Sequence, residues 1–365
     1  VDNSLPGSTF SVSGDFDKDG DVDVISFEKL VHNLYFHENN ASGPGVFSRK
    51  TEVNFNNVIS GEPDHALVTD LDQDGDLDIV VSFFSSGEIA WFENNQSGIG
   101  IGNFGAKSPL ITKGAAAEVD YFELGDIDAD SYPDLVVVNR GTDVVEWWRN
   151  DGSVNPSFAL QSAIMDSSHG LDAPRFVELV DLDGSGTLDV LISANNNLYL
   201  ASNQDKGVYG VNTFSRSVLT AVTGSSLLSR SADLTSDGLI DVAYVTTAGA
   251  PLVLVQTANG FSSPVSLPAH PVNAVAFPTD LAIIPATANT RVTLVVSDSS
   301  ISYISLFEAK ASLDGQFEQP SLINVGIGVN CLSLVDLNRK PDSLSYSFIG
   351  GEDQLDFNET RFKNE

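Results

Sequence analysis

Apolar residues in this chain come in short runs, and each run follows an acidic turn. Val22-Asp-Val-Ile-Ser-Phe27, Leu77-Asp-Ile-Val-Val-Ser82 and Leu188-Asp-Val-Leu-Ile-Ser193 are rich in β-branched residues and too short for helices. No segment sustains a helical apolar period, so the pattern predicts an all-β chain with almost no helix. Between residues 65 and 111 the order is explicit. His65 to Thr69 reads as a first strand and Leu77 to Phe84 as a second. Ser85 to Glu88 is a turn, Ile89 to Glu93 a third strand, and Asn94 to Gly102 a polar connector. Phe104 opens a fourth strand that ends near Ile111.

The turns between first and second strands share one frame. Asp15, Asp17, Asp19 and Asp23 occupy positions 1, 3, 5 and 9, with Gly20 at position 6 and Asp21 at position 7. The frame returns as Asp70, Asp72, Asp74, Asp76 and Asp78, and again as Asp126, Asp128, Asp130, Tyr132 and Asp134. It returns twice more, as Asp181, Asp183, Ser185, Thr187 and Asp189, and as Asp233, Thr235, Asp237, Leu239 and Asp241. Oxygen-only ligands on a tight turn suit a hard cation that takes six to eight oxygens, which is calcium. One such turn would read equally well as a solvated acidic loop; five in register point to metal. An EF-hand is excluded, because position 12 is Ser26, Val81, Val137, Ile192 or Tyr244 where that motif needs Glu.

Two degenerate copies come next, at Asp280 and Asp336, so the first positions fall at 15, 70, 126, 181, 233, 280 and 336. A second marker, Phe47, Phe104, Phe158, Phe214, Phe261 and Phe317, keeps the same beat, 28 to 37 residues after each loop Asp. Four strands per repeat of about 50 residues is a propeller blade. The expectation is therefore a single seven-bladed β-propeller over residues 1–365, its last blade completed by an N-terminal strand at Val1–Leu5 that closes the ring. Covering sheet edges in this way would remove sites of aggregation.

Charge and composition narrow the function. Formal net charge is −32 and hydrophobic content 42%. Five calcium ions would offset ten charges and leave about −22, a surface that repels nucleic acid and anionic membranes. No run of 18 apolar residues offers a membrane span. The lone cysteine, Cys331, allows no intrachain disulfide and reads as a small buried hydrophobe. Low-affinity calcium loops stay filled where calcium is near millimolar, which argues for an extracellular setting, secreted or at the cell surface. The start at Val1 suggests a processed mature form, and Asn40, Asn95 and Asn358 head N-glycosylation triplets.

The Asp-x-Asp-x-Asp-Gly-x-x-Asp turns, the Trp91-Phe-Glu-Asn94 type third strands and the Phe-led fourth strands resemble FG-GAP/VCBS repeats, the repeats of the integrin α-subunit head. The resemblance spans nearly the whole chain and is strongest over residues 9 to 245. It implies calcium held by side chains at positions 1, 3, 5 and 9 and by the position-7 carbonyl of Asp21, Asp76, Tyr132, Thr187 and Leu239. It places the loops on one face and ligand engagement on the other. The chain departs from the pattern at Ser131, where Gly is usual, and at Ser185 and Thr235, each of which removes a charge and weakens its site. The repeats at Asp280 and Asp336 lack the carboxylates and are expected to hold no metal.

Catalysis finds thinner support. His65, His169 and His270 each stand just before or at the start of an inner strand, and with Arg140, Arg175 or Tyr121 they could serve as base and charge neutraliser in a polysaccharide lyase. Solvated turn residues are the plainer reading. No Gly-x-Ser-x-Gly elbow, His-Glu-x-x-His or phosphate loop is present. Trp91, Trp147 and Trp148 lie on third strands and read as inter-blade packing, with a sugar-stacking platform as the sharper alternative. The sequence thus points to a calcium-stabilised binding, adhesion or assembly module for a protein or lectin-like glycan partner. A carbohydrate-active lyase or hydrolase and a structural subunit of a filament or coat are the alternatives.

Overall fold

The computed structural model describes residues 8–28, 33–39, 47–53, 63–95, 104–204, 214–247, 249–268, 278–286, 290–298, 303–311, 314–324, 345–348 and 358–361. These described residues are all-β. Helical structure among them is confined to three single 3₁₀ turns, Ala115–Ala117, Arg140–Thr142 and Ser167–His169.

The chain divides into two compact units, one of residues 1–121, 149–159 and 333–365, the other of 122–148 and 160–332. In the first, Ser8–Gly14, Asp23–Glu28, Asn33–Asn39 and Phe47–Val53 form a four-stranded antiparallel sheet. Pro63–Thr69, Asp78–Phe83, Glu88–Phe92 and Ser108–Thr112 form the second. A third sheet, most of whose residues belong to the second unit, orders Val119–Gly125, Asp134–Asn139, Val144–Asn150 and Phe158–Asp166 in the same way. In the second unit the fourth and fifth repeats share a sheet, because their strands run on without a break. Asp189–Asn203 pairs with Phe176–Val180 through its first residues and with Phe214–Ala232 through the rest. Phe214–Ala232 then continues into the pairing with Asp241–Thr246, which carries Gly249–Leu254 and Val265–Ser266 beyond it. Pro278–Ile284, Thr293–Asp298, Tyr303–Glu308 and Ser321–Asn324 make the sixth blade.

The architecture is therefore a β-propeller of four-stranded antiparallel blades, with six blades among the described residues rather than the expected seven. The seventh repeat contributes one two-stranded sheet, Ser345–Phe348 with Asn358–Arg361. Its acidic frame is degenerate, with Asn338 and Lys340 where positions 3 and 5 carry carboxylates. Asp336, Cys331 and the expected closing strand Val1–Leu5 lie outside the described residues.

Second strands are buried along their full length in Asp78–Phe83, Asp134–Asn139 and Asp241–Thr246. Both faces of a blade's inner strands are covered, which is why these segments read as continuous apolar runs rather than alternating ones. In the first unit Phe16, Phe27, Phe36, Ile79, Phe92 and Phe104 belong to one core between the first two blades. Gly14, which ends a first strand, lets that packing close: a Cβ there would stand 2.9 Å from Leu77 Cδ1. The marker Phe is not always the start of a strand. Phe104 makes a single bridge to Asn94, and the fourth strand begins only at Ser108.

Candidate functional site

All five acidic turns fold alike. The position-1 carboxylate accepts the position-6 N–H: Gly20 to Asp15 at 3.2 Å, Gly75 to Asp70 at 3.0 Å, Ser131 to Asp126 at 2.8 Å, Gly186 to Asp181 and Gly238 to Asp233 both at 2.9 Å. Position 5 accepts from position 7 wherever it is Asp, at 2.8–2.9 Å onto Asp19, Asp74, Asp130 and Asp237. Position 9 accepts the position-2 N–H of Phe16, Leu71, Ile127, Leu182 or Leu234 through its Oδ2 at 2.9–3.3 Å. Those position-2 side chains are themselves buried. An apolar plug and a ring of N–H donors thus hold each loop with its carboxylates gathered. Two residues per loop adopt left-handed φ, at position 4 (Lys18, Gln73, Ala129, Gly184, Ser236) and at position 6.

In four loops three carboxylates bring ligand atoms within 4.8 Å of one another: Asp15, Asp17 and Asp19; Asp70, Asp72 and Asp78; Asp126, Asp128 and Asp134; Asp181, Asp183 and Asp189. These clusters could hold a metal ion. Burial pushes the Asp23 and Asp78 carboxyls up to about 7, although the N–H groups of Asn39 and Asn94 oppose it. Burial likewise lifts Asp17 and Asp189 to about 6 and raises Asp72 and Asp241. Neighbouring carboxylates add to most of these shifts. Asp70 Oδ1 is buried with no hydrogen-bond donor against it. The donor set is all oxygen, and it fits a hard divalent cation. Lys18, from the first loop, contacts Asp76 of the second and supplies one local cation.

The fifth loop gathers less. Thr235 replaces a carboxylate, and Asp233, Asp237 and Asp241 form no cluster of the same tightness among the described residues. In the fourth, Ser185 Oγ lies 2.9 Å from Thr187 Oγ1. Asp280 sits inside the strand Pro278–Ile284, its carboxylate taking the N–H of Leu281 at 2.8 Å.

The histidine candidates take separate roles. His65 lies within Pro63–Thr69 and stacks on Tyr121, ring centroids 4.0 Å apart. His169 closes a 3₁₀ turn with Nδ1 2.8 Å from Asp166, the residue that caps the turn. His270 lies outside the described residues. Trp91 and Trp147 are buried, and the Trp147 indole donates to Asp134 at 3.0 Å, so these rings serve packing and an acidic loop rather than a sugar platform. Trp148 is half-buried and donates to Glu146 at 3.1 Å. Asn95 is exposed, Asn358 begins a strand, and Asn40 lies outside the described residues.

Asn39, Asn94, Asn203 and Gln256 have roles that sequence reasoning missed. Each backbone N–H donates to the position-9 Oδ1 of its own blade, at 2.8–2.9 Å onto Asp23, Asp78, Asp189 and Asp241. Each also pairs with the marker Phe of its repeat. A carboxamide recurring 14 to 16 residues after position 9 is the signal that could have found them.

A family model described as FG-GAP-like repeat matches residues 15–81 and 126–192. Comparison with curated protein sequences finds no match. Among solved structures the chain is similar to an Agrocybe aegerita lectin that recognises non-reducing terminal N-acetylglucosamine. The TM-score is 0.63 at 16% identity, covering 88% of this chain and 81% of the lectin. It is also similar to BBS1N from a complex with ARL6DN, with a TM-score of 0.61 at 12% identity, covering 97% and 94%. At such identities these likenesses establish the fold alone.

Proposed function

Residues 15–81 and 126–192 being FG-GAP-like repeats, we propose that this chain is a calcium-stabilised extracellular binding module that recognises a protein or glycan partner without chemical turnover. The observation that carries this reading is the recurrence of one carboxylate cluster, at the same turn, in four successive repeats. Buried clusters of like charge are costly unless a cation neutralises them. Calcium is the ion suited to oxygen-only loops, and Asp15, Asp17, Asp19, Asp23 and their counterparts in the next four repeats would hold it. The ion supplies charge neutralisation and fixes a loop that would otherwise cost conformational entropy. Loops of this kind fill at extracellular calcium levels, which supports a secreted or cell-surface location.

Recognition is favoured over catalysis by the histidines. His65 is packed against Tyr121 and His169 is engaged with its turn-capping Asp166, so each has a structural task. The lectin and the BBS1N complex give precedents for glycan and protein recognition on this fold. A glycan and polysaccharide array, run with calcium and with EDTA and scored for both retention and cleavage, tests the reading. Retention without cleavage, lost in EDTA, is expected; depolymerisation of an arrayed polysaccharide would overturn the non-catalytic assignment.

A further inference from the structure

The carboxamides that come after the third strands do more than pair with their own blade. Asn94 Nδ2 donates to the carbonyl of Phe16 at 3.0 Å, 78 residues earlier. Asn203 Nδ2 donates to Ile127 O and Gln256 Nε2 to Leu182 O, both at 3.1 Å. In every case the acceptor is position 2 of the preceding repeat's acidic loop. The N–H of that same position-2 residue is bonded to its position-9 carboxylate.

Within the second unit the links join into an unbroken belt. Asp241 accepts the Gln256 N–H, and the Gln256 amide donates to Leu182. The Leu182 N–H donates to Asp189, which also accepts the Asn203 N–H. The Asn203 amide donates to Ile127, whose N–H reaches Asp134. In the first unit Asp78, Asn94, Phe16, Asp23 and Asn39 repeat the scheme. The position-9 carboxylates Asp78, Asp189 and Asp241 are therefore each clamped from their own blade and, through one amide, tied to the loop before. The acceptor carbonyl belongs to the peptide unit that leads into the position-3 carboxylate, so the amide also fixes a cluster residue of the neighbouring loop. Gln256 adds a second tie, accepting the Ile240 N–H at 3.1 Å.

We propose that Asn94, Asn203 and Gln256 are positioning residues that couple the metal loops of adjacent blades, so that divalent cations load them cooperatively rather than one by one. This rests on the calcium reading above. It assigns new roles to residues that touch no ion themselves. Hydrogen bonds in a shared, largely dry network reinforce one another, and a carbonyl that loses its buried donor leaves its peptide unsatisfied.

The test is a calcium titration of the demetallated full chain, monitored by calorimetry and by tryptophan emission, since Trp147 is bonded to Asp134 of the third loop. Asn203→Leu removes the amide from a different blade and leaves every carboxylate in place. It should weaken calcium binding at the third loop about tenfold, the loss of one buried hydrogen bond. It should also bring the Hill coefficient of the isotherm down towards one. Asn203→Gln should restore both, because Gln already fills the equivalent place in the fifth repeat. Should Asn203→Leu not yield folded protein, Gln256→Met makes the same test on the fourth loop by calorimetry. Wild-type isotherms in these variants, alongside calcium binding by the parent chain, would overturn the coupling and leave the calcium reading intact. A parent chain that takes up no calcium would overturn both.

Discussion

Replacing Ser131 by Gly should stabilise the third loop, and the structure sets the size of the effect. Ser131 sits at position 6 with φ 75°, where the other four loops carry Gly20, Gly75, Gly186 and Gly238 at φ 87–96°. An L-residue in the left-handed region pays about 1–2 kcal/mol. Glycine forfeits about 0.5–1 kcal/mol through the greater freedom of its unfolded chain. The difference predicts that Ser131→Gly gains about 0.5–1 kcal/mol. The Ser131 N–H bond to Asp126, at 2.8 Å, is untouched by the change. Gly186→Ala and Gly238→Ala run the experiment backwards. No heavy atom lies within 4 Å of a Cβ built at either position, so the penalty is one of backbone conformation alone. Scanning calorimetry at saturating calcium reads all three, with a shift of about 2–4 °C per kcal/mol for a cooperative unit of 150–250 residues. A gain for Ser131→Gly and losses for both alanines are expected. If Ser131→Gly lowers the melting temperature while Gly186→Ala leaves it unchanged, the loop does not have the left-handed sixth residue on which its carboxylate geometry depends.

The same loops set three further outcomes. In EDTA the raised carboxyls of Asp23 and Asp78, near 7, and of Asp17 and Asp189, near 6, favour the folded state when protonated. Their contribution is full below the unfolded value of about 4 and lost as pH rises through the folded values, so metal-free protein should melt higher at pH 5 than at pH 8. Calcium-loaded protein should show the opposite order, and melting curves at the two pH values check both. Trp147→Phe removes a buried donor to a carboxylate and should cost about 1.5–3 kcal/mol in chemical unfolding. Thr235→Asp restores the position-3 carboxylate of the fifth loop, its fourth, and should tighten calcium binding there, as a competition assay with a calcium dye would register.

The blades and loops were legible because they are local. Position 9 to position 2 spans seven residues, and second strands buried on both faces announce themselves as apolar runs. The Phe beat located the fourth strands but marks their start only at Phe47, Phe158 and Phe214; Phe104, Phe261 and Phe317 lie ahead of theirs. Phe104 is held by its bridge to Asn94 and by edge-on packing against Phe16, with ring centroids 5.9 Å apart, and both contacts belong to tertiary structure. Phe214–Ala232 runs from the fourth repeat into the fifth as one strand, since no proline interrupts it and Gly224 is accommodated at φ 82°. The carboxamide belt escaped for the same reason as Phe104. Asn203 and Ile127 lie 76 residues apart, and only stacking of one blade on the next brings an amide to that carbonyl. The sixth repeat forms a four-stranded blade without its carboxylates, and the seventh contributes two strands among the described residues.

Calcium titration of the demetallated protein by calorimetry probes the acidic loops themselves. Saturable heat of binding is expected, strongest for the first three loops and weaker for those with Ser185 and Thr235, together with a melting temperature that rises as the loops fill. No heat of binding, with superimposable melts in EDTA and in millimolar calcium, would contradict the calcium reading.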